Sequence, residues 1–458
     1  MIEVLEKLVH LPQRGEYMEI RLENIVSTTI RVQNGVVEKI RVEADKGGYI
    51  RLLTPRGSWW FESFQDWDNL QERVEKAISG ASLLPKSDIE VVRKPPVREE
   101  KKVTLADDFR FKSLKDKTSL LLEYNQIFKE ISPLLVSSLV EYRDEFREIY
   151  LANSDGSLIY WEKPDINLNF TATARKGDNI EVYRNGVAGK TGFELVKNQE
   201  QLAQEVGQKA LLLLEAPSFS GGMYDVVLDP VLAGVFIHEA FGHLSESDAL
   251  YRNEELKKIM TKGRRVSSPV LNVFDDGSLD NLRGSSPYDD EGIPTGRTYL
   301  IKNGYLSGRL HSRETAFLMQ EEVTGNARTI NYRFPPIVRM TNTAIEGGEP
   351  TKEDLFSDIE RGLYAVEYIG GNTALELFTF SAAYGYLIER GKIKELVKDV
   401  VLSGNLFQTL DKIDAVANDF RWTEVGGCGK GGQMGLPTPT GSPHIRLREV
   451  LVGGSGND

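Results

Sequence analysis

Along the first third of the chain, apolar and polar residues alternate with the period of two that a half-buried strand requires. The alternation runs from Glu19 to Val42, interrupted at Asn34-Gly35, a pair suited to a tight hairpin, and resumes from Tyr49 to Phe61. The period then lengthens: Leu70, Val74 and Ala77 share one face of a predicted helix from Asp66 to Ala77. Pro95-Pro96, inside the charged run Arg93 to Lys102, predicts a linker and a first boundary. Beyond it come a helix from Lys117 to Ile131, a hairpin from Glu148 to Trp161 turning at Ser154-Asp155-Gly156, and further alternation from Asp165 to Tyr183. Gln199 to Glu215 is a second long helix, with Leu202, Val206, Ala210 and Leu213 at helical spacing. Pro217 to Gly222 closes this unit.

In the remaining half, Asp229-Pro230 reads as an N-cap followed by proline at the first helical position, where its missing N–H costs nothing. Val231, Leu232, Val235 and Phe236 give the helix an apolar face. Thr298 to Leu310 predicts a hairpin turning at Asn303-Gly304, and Lys352 to Leu363 a helix capped by Thr351. Strands and helices do not alternate strictly as in a parallel βαβ array. The expected class is therefore α+β with mostly antiparallel sheets: an N-terminal α/β region over residues 1–95, a central α+β domain over 105–215 and a C-terminal metal-bearing domain over 220–458.

The metal expectation comes from His238-Glu239-Ala240-Phe241-Gly242-His243 near the end of the Asp229-Pro230 helix. Two imidazoles and a carboxylate are the ligand and base set of a hydrolytic zinc site. Histidines at i and i+4 lie roughly 40° apart on an α-helix, whereas the i and i+5 spacing found here splays them by roughly 140°. One ion can be shared only if the backbone takes up an extra residue, as a π-bulge does, and Gly242 is the residue expected to tolerate that break. Two of the five histidines fall within these six residues; His10, His311 and His444 have no such setting.

Catalytic zinc takes a third protein ligand and leaves its fourth position to water. The one cysteine, Cys428, sits among glycines from Gly426 to Gly432, with Lys430 expected to favour its thiolate. Glu246, Asp248 and His444 are the other third-ligand candidates, although Glu246 and Asp248 look equally like a solvated acidic face. Asp289-Asp290-Glu291, between Pro287 and Gly292, reads as a charged turn. The glycine run lacks the G-x-x-x-x-G-K-[ST] pattern of a phosphate cradle. Gly453 to Asp458 reads as a mobile tail.

These motifs together resemble the TldD/PmbA family, the modulators-of-gyrase metallopeptidases. The resemblance extends through Tyr288 to Thr295, Ile301 to Gly304, Thr324 to Arg328, Pro336 to Thr343 and Cys428 to Gln433, all in the family's order. It implies that His238, His243 and Cys428 are zinc ligands and that Glu239 activates water. It also implies a TldD-type active subunit that pairs with a TldE/PmbA-type subunit or with itself, and peptide substrates that are small or unfolded, including modified peptide antibiotics and an antitoxin.

Composition narrows the alternatives. With 56 basic and 68 acidic residues the net charge is −12, and no long basic run appears, which argues against nucleic acid or an anionic membrane as partner. A single cysteine fits a reducing compartment, and acids where a signal peptide carries basic residues point to the cytoplasm. Two rival functions stay open: a cysteine hydrolase with Cys428 as nucleophile, and a non-catalytic assembly subunit in which the metal only staples the C-terminal half. The first would survive chelation and fail on thiol alkylation. The second has no need of Glu239.

Overall fold

In the computed structural model, residues 1–11, 17–374 and 376–453 are described. The N-terminal alternation becomes two long strands, Tyr17–Gln33 and Val36–Leu53, joined at Asn34-Gly35 and paired antiparallel along their length. Trp59–Phe64 extends the meander on one side. On the other, Tyr17–Gln33 pairs with Leu135–Asn153, which pairs in turn with Leu158–Lys176. Residues from both sides of the proline pair therefore build one seven-stranded sheet. Within the run read as a linker, Arg98–Lys101 is an edge strand lying parallel to Leu158–Trp161. Proline removes only its own N–H, so the residues after Pro95-Pro96 remain free to pair.

Helices Leu114–Ile131 and Glu200–Glu215 cover one face of this sheet, burying Leu121, Phe128, Val206 and Ala210 against Tyr142, Leu168 and Phe170. Leu70–Ala81 and Ile2–Leu8 pack with Ile20, Leu22, Ile50 and Leu52. The class is α+β with mostly antiparallel pairing.

In the C-terminal half, five strands close into a ring: Gly222–Leu228, Ile445–Gly453, Val401–Asn405, Leu377–Glu389 and Arg361–Ala374, which returns to the first. The closing pair, Gly362 to Ala365 against Asp225 to Leu228, is the parallel one. Helix Pro230–Ile237 leaves the ring directly from Leu228, and its Phe236 packs edge-on against Phe378 and Phe380, with ring centroids 5.4 and 5.8 Å away. A second, six-stranded sheet that includes Val273–Asp276, Thr343–Ile345 and Thr440–Ser442 lies on the other side of that helix. The helix is thus held from two sides, which makes it a rigid mount.

The helix expected from Lys352 to Leu363 is shorter. It spans Lys352–Phe356, with the expected Thr351 cap completed by Asp354, and the chain becomes a strand at Arg361. Leu355, Ile359 and Leu363 fall at helical spacing, but Leu363 and Ala365 also alternate as strand residues do, and pairing with Gly222–Leu228 decides between the two. Asp289-Asp290-Glu291, read as a charged turn, is an interior junction between the halves. Asp289 and Glu291 are buried, Arg51 reaches Glu291 at 2.6 Å and Arg21 reaches Asp290 at 2.9 Å. From residue 454 the run read as a mobile tail lies outside the described residues. No described helix is long and apolar enough to cross a membrane.

Candidate metal centre

Asp229 caps the mounting helix: its Oδ1 accepts the N–H of Leu232 and, from the neighbouring strand, that of Glu367, each at 2.9 Å. The helix ends at Ile237, and His238–Gly242 forms one turn of π-helix, closed by the N–H of His243 on the carbonyl of His238. This i to i+5 bond supplies the extra residue that the histidine spacing demands. The reason for Gly242 differs from the expected one. Its φ of −57° and ψ of −51° are open to any residue, but a Cβ there would stand 2.1 Å from Sδ of buried Met340. Glycine is needed for room, not for backbone freedom.

Cys428 arrives from the far end of the C-terminal half on a hairpin, Cys428–Lys430 against Gln433–Leu436. Gly431 and Gly432 form its turn with φ of +58° and +79°, values that side chains rarely adopt. The guanidinium of Arg339 donates to the Cys428 carbonyl at 2.8 Å and fixes the strand. The donor atoms of His238, His243 and Cys428 all lie within 4.8 Å of one another. Sγ of Cys428 is 3.2 Å from Nε2 of His243, and the two imidazole rings are 5.2 Å apart at 81°.

These residues suit a divalent cation. Two imidazoles and a thiolate are a donor set that zinc accepts, and two such donors on one tetrahedral ion stand roughly 3.5 Å apart, close to the spacing seen. Nδ1 of His238 is buried without a hydrogen-bond partner among the described residues, a costly state for a polar atom that belongs to no ligand set. The centre also has an open side. His238 and Cys428 are buried, whereas the side chains of His243 and Glu239 keep 26% and 30% exposure, with Oε2 of Glu239 at 3.8 Å from Nε2 of His243.

Electrostatics favour the ligand form of the sulfur. Burial pushes the Cys428 thiol up, but hydrogen bonds from His238 and His243 outweigh it and bring the thiol to about 5. Burial lowers His243, while the thiolate and Glu246 together raise it to about 10. Lys430 does not supply the pull. Its Nζ bridges Glu246 at 2.9 Å and Asp248 at 2.6 Å and donates to the carbonyl of Val338.

The other third-ligand candidates fall elsewhere. Glu246 is buried, not part of a solvated face, and its Oε2 sits 2.8 Å from Nδ1 of His243, on the side of the ring away from the sulfur. It accepts the N–H of Met340 as well, and burial, which opposes its charge, is overcome by Lys430 and His243, leaving its carboxyl at about 2. Asp248 is engaged by Lys430. His444 belongs to a separate cluster, with Asp419 at 2.6 Å and the hydroxyl of Tyr364 at 2.9 Å. Glu246 as the carboxylate behind His243 was missed, although the His-x-x-Glu spacing already hinted at proximity. Tyr368 was missed as well. Burial and then the charge of Glu239 raise its phenol, which puts the ring within electrostatic reach of the candidate base; no local pattern signals it.

Comparison with known proteins points to a family of metallopeptidases. Three family models match in succession: PmbA/TldA metallopeptidase domain 1 over residues 18–81, the central domain over 107–214 and the C-terminal domain over 221–454. A metalloprotease of Synechocystis is 42% identical over 445 residues, covering 96% of this chain and 95% of that protein. One of Methanothermobacter thermautotrophicus is 34% identical, covering 98% of each. Among solved structures, TldE of Thermococcus kodakarensis superposes with a TM-score of 0.75 at 17% identity, covering 99% of both chains, and so shares the fold.

Proposed function

The chain belongs to the PmbA/TldA metallopeptidase family, and from that premise we propose that it is a zinc peptidase cutting small or unfolded peptides at the His238-His243-Cys428 centre, with Glu239 as general base. The observation that carries this reading is the convergence of those three donors within 4.8 Å, with the Glu239 carboxylate beside the open edge. A divalent cation held there supplies Lewis-acid chemistry, polarising a carbonyl and making water acidic near neutral pH. The protein's own groups do the rest. Glu239 accepts the proton of the attacking water and passes it to the leaving amine. Glu246 holds the ring of His243 through Nδ1, so that Nε2 faces the sulfur. The buried His238 and Cys428 close the rear of the centre, which leaves substrate the side where Glu239 stands.

The 3.2 Å contact between Cys428 and His243 also favours a second reading, in which the thiolate is the nucleophile and His243 its proton partner. One experiment separates the two. In Glu239→Gln, peptide cleavage should fall by about 10²-fold or more while bound zinc stays near one per chain, and chelation of the wild type should abolish activity until zinc is restored. Activity that persists in metal-free protein and is lost on alkylation would reverse the assignment. Undiminished cleavage by Glu239→Gln would leave the centre a structural staple. We also propose a TldE/PmbA-type subunit or a second copy as partner, on the strength of the family and the shared fold, and the reducing cytoplasm as the setting, because a lone ligand thiol must stay reduced.

A further inference from the structure

A cavity of about 180 Å³ lies between the face of the N-terminal sheet that carries Arg147 and Lys163 and the C-terminal loops that carry Arg283, Arg328 and Leu436. Its wall is shared with the candidate metal centre: Leu436 is the strand partner of Cys428 in the glycine-turn hairpin. Most of the positive charge is matched. Glu145 takes Arg143 and Arg147 at 2.8 and 2.6 Å, and Asp165 takes Arg283 at 2.6 Å. Two cations are not. Lys163 has no hydrogen bond or ion pair for its ammonium among the described residues, and it faces Arg147 directly across the antiparallel pair, a like-charge arrangement that repels. Arg328 is buried and spends its donors on the carbonyls of Met340 and Pro437, with no carboxylate in ion-pair range among the described residues.

Burial, followed by Arg328 and Arg147, depresses the Lys163 ammonium well below its ordinary value, and burial together with Arg339 brings Arg328 down to about 10, in each case against the weaker pull of Asp290, which lines the same cavity. A carboxylate brought to this side would favour the ammonium form of half-buried Lys163 and pair with Arg328, whose charge burial otherwise opposes. The space is many times the ~10–15 Å³ that one water needs on this measure, room enough for the terminal residue of a peptide.

We propose that this cavity is a carboxylate-binding subsite in which Lys163 and Arg328 hold an anionic group of the peptide substrate, either its C-terminal carboxylate or a terminal acidic side chain. The proposal rests on the peptidase reading and adds a substrate class to it. The hairpin that carries Cys428 joins the cavity wall to the candidate centre through the Cys428–Leu436 pair.

The test uses one peptide sequence in three forms: free acid, C-terminal amide, and amide with a terminal Asp. Cleavage is measured with wild type, Lys163→Met, Lys163→Arg and the surface control Lys39→Met. Amidation and Lys163→Met should each raise KM about tenfold with kcat little changed, and the two losses should not add. Lys163→Arg should restore the preference. Recovery by the Asp-amide in wild type but not in Lys163→Met assigns the subsite to side-chain carboxylates; no recovery assigns it to the C-terminus. Lys163→Met changing all three peptides alike, or none, overturns the proposal and leaves the peptidase reading standing. Anisotropy binding to the full-length Glu239→Gln protein separates the two claims. Lys163-dependent preference for the free acid there, with no cleavage by wild type, upholds the subsite and sinks the peptidase.

Discussion

Replacing Glu246 by glutamine tests whether the carboxylate behind His243 orients a ligand or merely fills space. The side chain keeps its size, so the effect is electrostatic. In the native site Oε2 lies 2.8 Å from Nδ1 of His243 and 2.9 Å from Nζ of Lys430, and Oε1 accepts the N–H of Met340 at 3.3 Å. Glutamine keeps one oxygen: turned toward a protonated Nδ1 it accepts there as a neutral acceptor, while its amide nitrogen meets the N–H of Met340 and that bond is lost. A charge-assisted bond contributes about 1.5–3 kcal/mol against about 1 for its neutral counterpart, so the loss at His243 is about 1–2 kcal/mol. Lys430 adds little, because Asp248 holds it at 2.6 Å whatever happens at position 246. The expected result is zinc affinity weakened about 5- to 30-fold, read by competition against a chromophoric chelator. Glu239→Gln, which leaves every donor in place, serves as the comparison. Affinity of Glu246→Gln within a factor of about two of wild type, while His243→Ala loses the metal, would refute the orienting role.

Gly242→Ala should lower stability by ~1–3 kcal/mol, because a methyl 2.1 Å from Sδ of Met340 forces a buried side chain aside. Calorimetry should show a lower Tm that Met340→Ala partly restores in the double variant; an unchanged Tm would mean that the π-turn does not depend on this space. The second concerns acid. Burial raises Glu321, but His311, Lys262 and Arg309 outweigh it and hold the carboxyl at about 2, below its ordinary 4.5. Its stabilising contribution is therefore complete above about pH 4.5 and lost as pH falls toward 2. Urea midpoints of wild type and Glu321→Gln should differ most at pH 6, draw together below about pH 4.5 and converge near pH 2, and a constant gap across that range would contradict the assignment.

Local pattern carried the reading furthest where a few neighbouring residues decide the outcome. Asp229-Pro230 marks a helix start through its own cap, Asn34-Gly35 sets a turn by itself, and histidines five apart can share an ion only through the π-turn that is found. It failed where a distant partner decides. Leu363 sits equally well on a helix or a strand until Gly222–Leu228 lies beside it, and the segment after Pro95-Pro96 becomes a strand only because Leu158–Trp161 is there to pair. Glu246 and Asp248 look alike in sequence. They part company in space, where Lys430 engages both but only Glu246 reaches an imidazole. Lys163 and Arg328 are ordinary cations in the chain; their significance is a matter of which carboxylates fail to reach them.

The ligands of the candidate centre stand 185 positions apart, and the strand that flanks Gly222–Leu228 in the ring comes later still, at Ile445–Gly453. A ribosome delivers the imidazoles long before the sulfur. Through that interval the growing polypeptide holds two of the three proposed ligands and lacks the third, so the proposed centre stays incomplete. On the proposed assignment, the centre can form only once the glycine-turn hairpin has docked.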